Sequence, residues 1–281
     1  MTVTSLWGTL EARLLPVFAE YRSRIAELPV EVKPDRTLLT EADVAVQKLI
    51  IDALRELEGD AVIIAEEDER AGVRAEVAAS SGRVWVVDPI DGTAEFVRAE
   101  RTEFCSVVCL LEDWAPVAAF VLAPELGAGR TPLVVTADVR RGQVELNGKP
   151  AGAASTRWIS ATRSAGDPPR PFDAAAEREG YRLKLRTTSQ TLDMVRTVVD
   201  LADRTDPPAP GFDLFWRRDQ KVWDGLAGLC LGAAAGLHSS DESGEPLPLG
   251  PELLSRAEPV FESTVMGRRE TVEWFLEVTR G

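Results

Sequence analysis

The stretch Trp85-Val86-Val87-Asp88-Pro89-Ile90-Asp91-Gly92-Thr93 contains the end of a predicted strand. Residues 84–87 are a short, continuous apolar run, which is typical of a strand buried on both faces. The proline that follows has a fixed φ and no N–H for a central ladder, so we expect the chain to turn there. Such a turn aims Asp88 and Asp91 at one point and leaves the Ile90 carbonyl free as a third oxygen ligand. Oxygen ligands of this kind suit a hard cation such as Mg²⁺.

Two interpretations of this stretch are open at this point. Taken alone, Asp-x-x-Asp-Gly also describes a surface turn with two solvated aspartates. Glu66-Glu67 follows another apolar run, 61–65, and Asp224 opens a helix rich in Ala and Gly, so these carboxylates could converge on one metal site. Asp224 by itself is also compatible with a helix N-cap. Gly92 lets the backbone approach a ligand closely, and the amides after it can face a phosphate.

The charge and the histidine content exclude several classes of protein. The 281 residues include 46 acidic and 32 basic side chains, and the formal net charge of −14 repels nucleic acid polymers and anionic membranes. A small anionic substrate remains compatible with this charge, because a bound cation reverses the field locally. His238 is the only histidine, so a histidine-based triad or a multi-histidine zinc site is nearly excluded. Carboxylates are the obvious remaining metal ligands.

The sequence shows no membrane or export signal. No apolar run approaches the roughly 20 residues that span a bilayer, and the first residues lack a basic segment followed by an apolar stretch. The three cysteines are few, odd in number and set among apolar residues, which argues against disulfides. We therefore expect a globular protein of the reducing cytoplasm.

The first half of the chain predicts an α+β domain, 1–155. Apolar residues recur at helical spacing over 4–28, which indicates an amphipathic helix interrupted or kinked near Pro16. Thr40-Glu41-Ala42-Asp43 is typical of the capped start of a second helix. Short apolar or alternating runs predict strands at 61–65, 84–87, 105–111, 116–122, 133–136 and 143–146.

The second half predicts an α/β domain, 156–281, because strand and helix patterns alternate. Strands are expected at 158–162 and 181–185, and helices at 172–178, 192–202 and 222–234. Asp224 belongs to this domain, whereas the other candidate metal ligands belong to the first one. The site should therefore lie between the two domains.

Four motifs together resemble the inositol monophosphatase superfamily. Residues 85–93 with Phe96 are similar to its first signature, and Trp223-Asp224-Gly225-Leu226-Ala227-Gly228 is similar to its second. Glu66-Glu67 and Thr40-Glu41-Ala42-Asp43 stand at the family's positions upstream. The motifs occur in family order and cover roughly residues 33 to 240. The resemblance implies a five-layer α-β-α-β-α sandwich of α/β class.

The same resemblance implies hydrolysis of phosphate monoesters by a Mg²⁺-activated water. It implies two or three Mg²⁺ ions per site, with Mn²⁺ as a substitute and Li⁺ as an inhibitor. The implied metal ligands are Glu66, Asp88, the Ile90 carbonyl, Asp91 and Asp224. The implied catalytic residues are Asp43, Thr93 and Glu66, of which Asp43 and Thr93 orient the attacking water, while the amides of Gly92 and Thr93 hold the phosphate. Metal ions would also neutralise the packed carboxylates, which otherwise repel one another.

Within the superfamily, several segments resemble bacterial 3'(2'),5'-bisphosphate nucleotidases more than inositol monophosphatases. They are Asp91-Gly92-Thr93-Ala94-Glu95-Phe96, Thr102-Glu103-Phe104, Ser160-Ala161-Thr162-Arg163-Ser164 and Lys221-Val222-Trp223-Asp224. Phe215-Trp216-Arg217-Arg218 lies where inositol monophosphatases have an acidic residue, and arginine there suits a second phosphate. Trp216 could stack on a base. The predicted substrate contacts are Arg163, Ser189, Arg217 and Arg218.

The leading hypothesis is therefore a phosphatase that removes the 3'-phosphate of a nucleoside 3',5'-bisphosphate. An inositol or sugar monophosphatase and a specialised natural-product phosphatase are alternatives within the same superfamily. A catalytically silent metal-binding scaffold is an alternative of another class. We expect a small phosphorylated substrate as the partner, no nucleic acid polymer or membrane, and a monomer or homodimer.

Overall fold

The computed structural model describes residues 2–33, 38–67, 82–153, 155–163, 168–186 and 188–280. Ser164, in one of the motifs above, lies outside these residues. Within them, no helix combines the length and the apolar composition that a membrane crossing needs.

The described residues form helices and strands that alternate along most of the chain. The helices are α1 Val3–Ser23, α2 Glu41–Leu57, α3 Thr93–Phe96, α4 Pro171–Arg178, α5 Gln190–Val198, α6 Val222–Ala234, α7 Pro251–Leu254 and α8 Arg269–Arg280, with 3₁₀ turns at Ile25–Glu27 and Ala128–Arg130. The strands are β1 Val30–Val32, β2 Leu38–Thr40, β3 Ile63–Ala65, β4 Val84–Asp91, β5 Cys105–Glu112, β6 Ala115–Gly127, β7 Thr131–Asp138, β8 Gln143–Leu146, β9 Lys149–Pro150, β10 Trp158–Ala161, β11 Arg182–Lys184, β12 Leu214–Lys221, β13 His238–Ser240 and β14 Val260–Gly267.

A seven-stranded sheet in the order β3-β4-β5-β6-β7-β8-β9 forms the first half of the molecule. β3 and β4 are parallel and the later neighbours are antiparallel. The expected turn at Pro89 is instead a bulge within β4, because Asp88 pairs with Val107 and Asp91 with Cys105, so three steps on β4 match two on β5. A bulge accommodates a residue without an N–H and redirects the side chains beside it. The bulge thus places Asp88 and Asp91 at the end of the strand without ending the pairing.

Helices α1 and α2 cover the outer face of this sheet. Leu6, Leu10, Leu14 and Phe18 of α1 are buried against the sheet. α1 continues through Pro16, contrary to the expected interruption. Its buried apolar stripe stabilises the helix more than the one lost backbone hydrogen bond costs.

A five-stranded sheet in the order β11-β10-β12-β14-β13 forms the second half. Helices α5 and α6 lie between the two sheets, and one apolar cluster joins them to both, including Val86 of β4 and Met266 of β14. Helices α4 and α8 cover the far face of the second sheet. The resulting order α-β-α-β-α confirms the expected five-layer sandwich. The division of the chain near residue 155 remains a prediction.

The central strand of the second sheet, β12, was not predicted from the sequence. It pairs with both β10 and β14. Its sequence, Leu214-Phe215-Trp216-Arg217-Arg218-Asp219-Gln220-Lys221, is half charged and lacks a continuous apolar run. Only its first three residues are apolar and buried. Pairing on both sides, which a local pattern does not reveal, makes this segment a strand.

The contact between α5 and α6 leads to a stability prediction. A Cβ at Gly228 of α6 would lie 2.5 Å from the Cβ of Met194 on α5, whereas a Cβ at the exposed Gly8 of α1 would meet nothing within 4 Å. We expect Gly228→Ala to destabilise the protein by about 1–3 kcal/mol through overpacking. Gly8→Ala should stabilise it by about 0.5–1 kcal/mol, because it lowers only the backbone entropy of the unfolded chain. Chemical denaturation measures both, and equal effects would contradict this packing.

Candidate active site

Three aspartates converge where the seven-stranded sheet meets the middle helices. Oxygen atoms of Asp88, Asp91 and Asp224 all lie within 4.8 Å of one another. Asp88 and Asp91 are at the end of β4, and Asp224 is in the first turn of α6. This arrangement brings together the two signatures that are more than 130 positions apart in the sequence.

The N-terminus of α5 holds Asp91 in place. Its Oδ2 accepts hydrogen bonds from Ser189 Oγ at 2.7 Å and from the Thr191 amide at 2.6 Å. Ser189 also caps α5 by accepting from the Leu192 amide at 3.0 Å. The predicted helix at 192–202 in fact begins at Gln190, and this earlier start directs its first amides at Asp91. The positive end of the helix dipole favours a carboxylate in that position.

Asp88 differs from its two neighbours in its hydrogen bonds to the described residues. It is almost fully buried, and neither of its carboxylate oxygens accepts a hydrogen bond from the described residues. Asp224 accepts one from Gln190 Nε2 at 2.5 Å. A buried polar group without a partner is costly, so two such oxygens on one carboxylate indicate a missing ligand.

Burial also raises the pKa of every carboxylate in the cluster. For Asp88 the loss of hydration comes first, followed by the charges of Glu66, Asp91 and Asp224. The pKa of Asp91 rises through burial although hydrogen bonds from Ser189 and the start of α5 oppose the shift. The pKa of Asp224 rises through burial and then the charges of Asp91 and Glu66. These groups need either protons or cations to share one buried space.

A second group of side chains, Asp43, Thr93 and Thr40, adjoins the cluster. Thr93 Oγ1 lies 3.0 Å from the Ile90 carbonyl oxygen and 3.3 Å from Asp43 Oδ1. Asp43 Oδ2 accepts from the Thr40 amide at 2.8 Å and from Thr40 Oγ1 at 2.6 Å, which forms the predicted capped start of α2. Burial raises the pKa of Asp43 to about 6, against the opposing hydrogen bonds from Thr40. Asp43 and Thr93 are therefore oriented toward each other.

Glu66 lies at the edge of the same cavity, outside the group of three aspartates. It accepts a hydrogen bond from Lys33 Nζ at 2.9 Å, and the same ammonium group lies 2.7 Å from Glu67 Oε1. Burial raises the pKa of Glu66, and Lys33 opposes that shift. The local sequence around Lys33 predicts no role for it, because only folding brings it beside Glu66-Glu67.

The cavity is about 280 Å³ in volume and includes Gly92, Thr93 and Ala94 in its wall. Gly92 has φ 91°, and a Cβ there would lie 2.9 Å from the backbone oxygen of Glu103. Only glycine fits this conformation and this close approach. The turn thus presents the start of α3 to the cavity.

Comparison with known proteins identifies the family of the chain. The sequence model of the inositol monophosphatase family matches residues 8–273. The chain belongs to the inositol monophosphatase family.

Relatives in this family are phosphatases. The chain is 30% identical over 233 residues to the 3'(2'),5'-bisphosphate nucleotidase CysQ of Escherichia coli (strain K12), which covers 79% of this chain and 85% of CysQ. It is 40% identical over 101 residues to a histidinol-phosphatase of Mycobacterium tuberculosis, 36% of each chain. A solved IMPase/NADP phosphatase complexed with Mg²⁺ and phosphate superposes with a TM-score of 0.73 at 17% identity, over 99% of this chain and 96% of that one. This inositol monophosphatase family member is therefore a phosphoric monoester hydrolase.

The predicted substrate contacts of this family member are not gathered in one place. Arg217 donates to Thr162 Oγ1 at 3.0 Å, and its charge opposes the rise in the pKa of Asp224 that burial causes. Arg218 follows on the strand, stacks over Trp216 and lies 2.7 Å from Glu242. Successive residues of a strand face opposite sides, so the two arginines cannot act as a pair.

Trp216, Arg163 and Ser189 also interact with other side chains of the protein. Trp216 is 3% exposed and packs against Phe172 and Phe275 in the outer core, so the expectation that it stacks on a base is wrong. Arg163 forms an ion pair with Asp173 at 3.0 Å. Ser189 is fully buried against Asp91.

The carboxylate of Asp88, which has no donor among the described residues, provides a test of metal binding in this family member. We expect Asp88→Asn to raise the Tm of the metal-free protein by about 4 °C, because it removes a buried carboxyl group that must take up a proton when the chain folds. Added Mg²⁺ should raise the Tm of the wild type and leave that of Asp88→Asn unchanged. Thermal unfolding in EDTA and in Mg²⁺ measures both. The control Asp52→Asn, on the exposed side of α2 beside Lys48, should respond to Mg²⁺ as the wild type does.

Proposed function

We propose that the chain removes the 3'-phosphate of a nucleoside 3',5'-bisphosphate in a Mg²⁺-dependent reaction. The observation that supports this substrate class most strongly is the 30% identity to CysQ, a 3'(2'),5'-bisphosphate nucleotidase, over 79% of the chain. The cluster of buried carboxylates supports the reaction type, because the residues present fit a hard divalent cation.

Five oxygen donors would hold Mg²⁺ in this proposal. They are the carboxylates of Glu66, Asp88, Asp91 and Asp224 and the backbone carbonyl of Ile90. A solved relative binds Mg²⁺ together with phosphate, which supports the choice of metal. Bound Mg²⁺ supplies positive charge that offsets the phosphate dianion and lowers the pKa of water. The chain's own role is to hold the donors, and the start of α5 does so for Asp91.

Thr93 and Asp43 are the proposed route for the proton of the attacking water. Thr93 Oγ1 can accept a hydrogen bond from water while it donates its own proton to Asp43 Oδ1, 3.3 Å away. Asp43, with a pKa of about 6, is ionised at neutral pH and can take up a proton. Thr40 fixes the orientation of this carboxylate through two hydrogen bonds to Oδ2. The amides of Gly92 and Thr93 are the proposed donors to the reacting phosphate.

We retain Arg217 as a proposed substrate contact. Its charge opposes the rise in the pKa of Asp224, so the guanidinium group is near enough to influence the carboxylate cluster. Ser189 has a positioning role in this proposal, since its hydroxyl group is engaged by Asp91. Arg163 and Arg218 are engaged by Asp173 and Glu242 and would have to leave these carboxylates to contact a substrate.

A second candidate function is the hydrolysis of a small phosphate monoester. The 40% identity over 101 residues to a histidinol-phosphatase favours it, although this match covers only 36% of the chain. The two candidates share the carboxylate cluster and differ in whether the substrate carries a second phosphate.

Asp91→Asn tests the proposed mechanism. We expect kcat to fall by at least about a thousandfold, because an amide cannot supply the anionic oxygen that the cation needs. The fold should be intact, since the amide oxygen can still accept from Ser189 and Thr191. Steady-state kinetics and circular dichroism measure the two properties. A rate close to that of the wild type would refute the metal assignment.

A panel of phosphate esters tests the proposed substrate. Purified protein is assayed with adenosine 3',5'-bisphosphate, inositol 1-phosphate, histidinol phosphate and sugar phosphates, with and without Mg²⁺ and Li⁺. We expect the highest kcat/KM for the bisphosphate, no phosphate release without Mg²⁺, and inhibition by Li⁺. A higher kcat/KM for any of the monoesters would overturn the choice of substrate while leaving the reaction type intact.

A further inference from the structure

Three arginines surround one buried carboxylate beside the proposed active site. Glu95 on α3 has a side chain that is only 3% exposed. Its Oε1 lies 2.6 Å from Arg186 Nη2 and 3.4 Å from Arg98 Nη1, and its Oε2 lies 3.7 Å from Arg101 Nε. We call Arg98, Arg101 and Arg186 the arginine cluster.

The nearby carboxylates do not balance the arginine cluster. Glu100 Oε1 also lies 3.8 Å from Arg101 Nε, so three guanidinium groups and two carboxylates leave a local charge of about +1, in a chain whose net charge is −14. The three side chains are 49%, 44% and 56% exposed, so each retains donors that face solvent. Glu95 Oε2 accepts no hydrogen bond from the described residues and lies beyond hydrogen-bond distance of Arg101. Glu95 thus gathers the cluster without using up its donors.

The backbone under the arginine cluster is held rigidly. The buried guanidinium group of Arg22 donates to the carbonyl oxygens of residues 96, 98, 99 and 101, the last at 2.8 Å, and forms an ion pair with Glu125 at 2.9 Å. Arg130 donates to the same loop, at the carbonyl of Ala99, at 2.7 Å. Binding groups on a preorganised loop lose less entropy when a ligand arrives.

The arginine cluster adjoins the site of the proposed reaction on two elements. Glu95 is two residues after Thr93, so their Cα atoms are at most about 7 Å apart, and the intervening Ala94 lines the active-site cavity. Arg186 is three residues before Ser189, which donates to Asp91. The cluster therefore lies close to the cavity, on the segments that carry Thr93 and Ser189.

We propose that the arginine cluster is a second phosphoryl-binding subsite, which holds the phosphate of the substrate that is not hydrolysed. The inference rests on the proposed phosphomonoesterase activity. It adds to that proposal the residues that distinguish a bisphosphate from a monophosphate. The guanidinium fork matches phosphate oxygens in pairs, and several such groups suit a dianion better than a single carboxylate. Free inorganic phosphate has the same chemistry and is the alternative occupant.

The test compares substrates with one and two phosphates on the same backbone. The pairs are adenosine 3',5'-bisphosphate with adenosine 3'-monophosphate, and fructose 1,6-bisphosphate with fructose 1-phosphate. The test variant combines Arg98→Ala, Arg101→Ala and Arg186→Ala, and a second variant has lysine at all three positions.

The control variant loses the same three charges far from the site, through Arg55→Ala, Arg140→Ala and Arg141→Ala. Arg55 is twelve residues after Asp43 on α2, about 18 Å along the helix. Arg140 and Arg141 pair with Glu112 and Asp138, at the end of the seven-stranded sheet remote from Asp88.

We expect the alanine variant to raise KM for the preferred bisphosphate by at least about tenfold, the equivalent of one strong contact. Its kcat should stay within about twofold of the wild type, and its KM for the matching monophosphate should not change. The lysine variant should recover part of the loss, and the control variant should behave as the wild type. Thermal unfolding checks that all variants fold.

The remaining outcomes separate the two proposals. If the wild type prefers the sugar bisphosphate and the alanine variant loses that preference, the subsite stands and the nucleotide assignment fails. If a bisphosphate preference survives in the alanine variant, or the wild type has none in either pair, the subsite is refuted. The subsite is also refuted if the alanine changes alter only the effect of added inorganic phosphate on the rate.

Discussion

The burial of Asp88, which accepts no hydrogen bond from the described residues, is the constraint on which the site depends. The carboxylate is at the end of an interior strand of the sheet, with Asp91 and Asp224 close by, and hydration that would normally stabilise its charge is lost. A folded chain can tolerate this arrangement by protonating the group or by binding a cation. In the proposed function the second solution applies, because a bound cation would also offset the charge of the phosphate.

The two helices in the middle layer of the sandwich, α5 and α6, fix the relative positions of the aspartates. α5 directs its first amides and Ser189 at Asp91, and α6 brings Asp224 to the same point from the second half of the chain. Gly228 allows α6 to approach Met194 of α5 closely. Packing between these two helices therefore fixes the distance between carboxylates that belong to different motifs. In the proposed function, this contact would couple metal binding to the packing of the core.

Charge is distributed unevenly around the candidate site. Buried carboxylates lie in the wall of the cavity, whereas the arginine cluster lies close to it on neighbouring segments. Glu95 has a role that resembles a structural counter-ion, since it holds the arginine cluster together at the surface. Lys33 has a similar relation to Glu66-Glu67. An acidic protein can in this way present a locally cationic surface to a phosphorylated substrate.

The sequence by itself determined the elements whose pattern is local. The start of β4, the cap formed by Thr40 and Asp43, and helix α6 at 222–234 follow from apolar runs and capping residues. The continuation of β4 through Pro89 as a bulge does not follow from them. The resemblance to the family motifs also predicted the order of the layers. It predicted in addition that Asp88, Asp91 and Asp224 lie close together.

Only the tertiary structure decided the features that depend on distant partners. β12 is a strand because β10 and β14 pair with it, and its alternation sends Arg217 and Arg218 to opposite faces. Trp216 is buried by helices α4 and α8, and Ser189 is engaged by Asp91, almost a hundred residues earlier. A local sequence pattern reflects the propensity and the periodicity of its residues. It does not show which polar groups lose their hydration when the layers pack together, and that loss decides the role of each polar side chain.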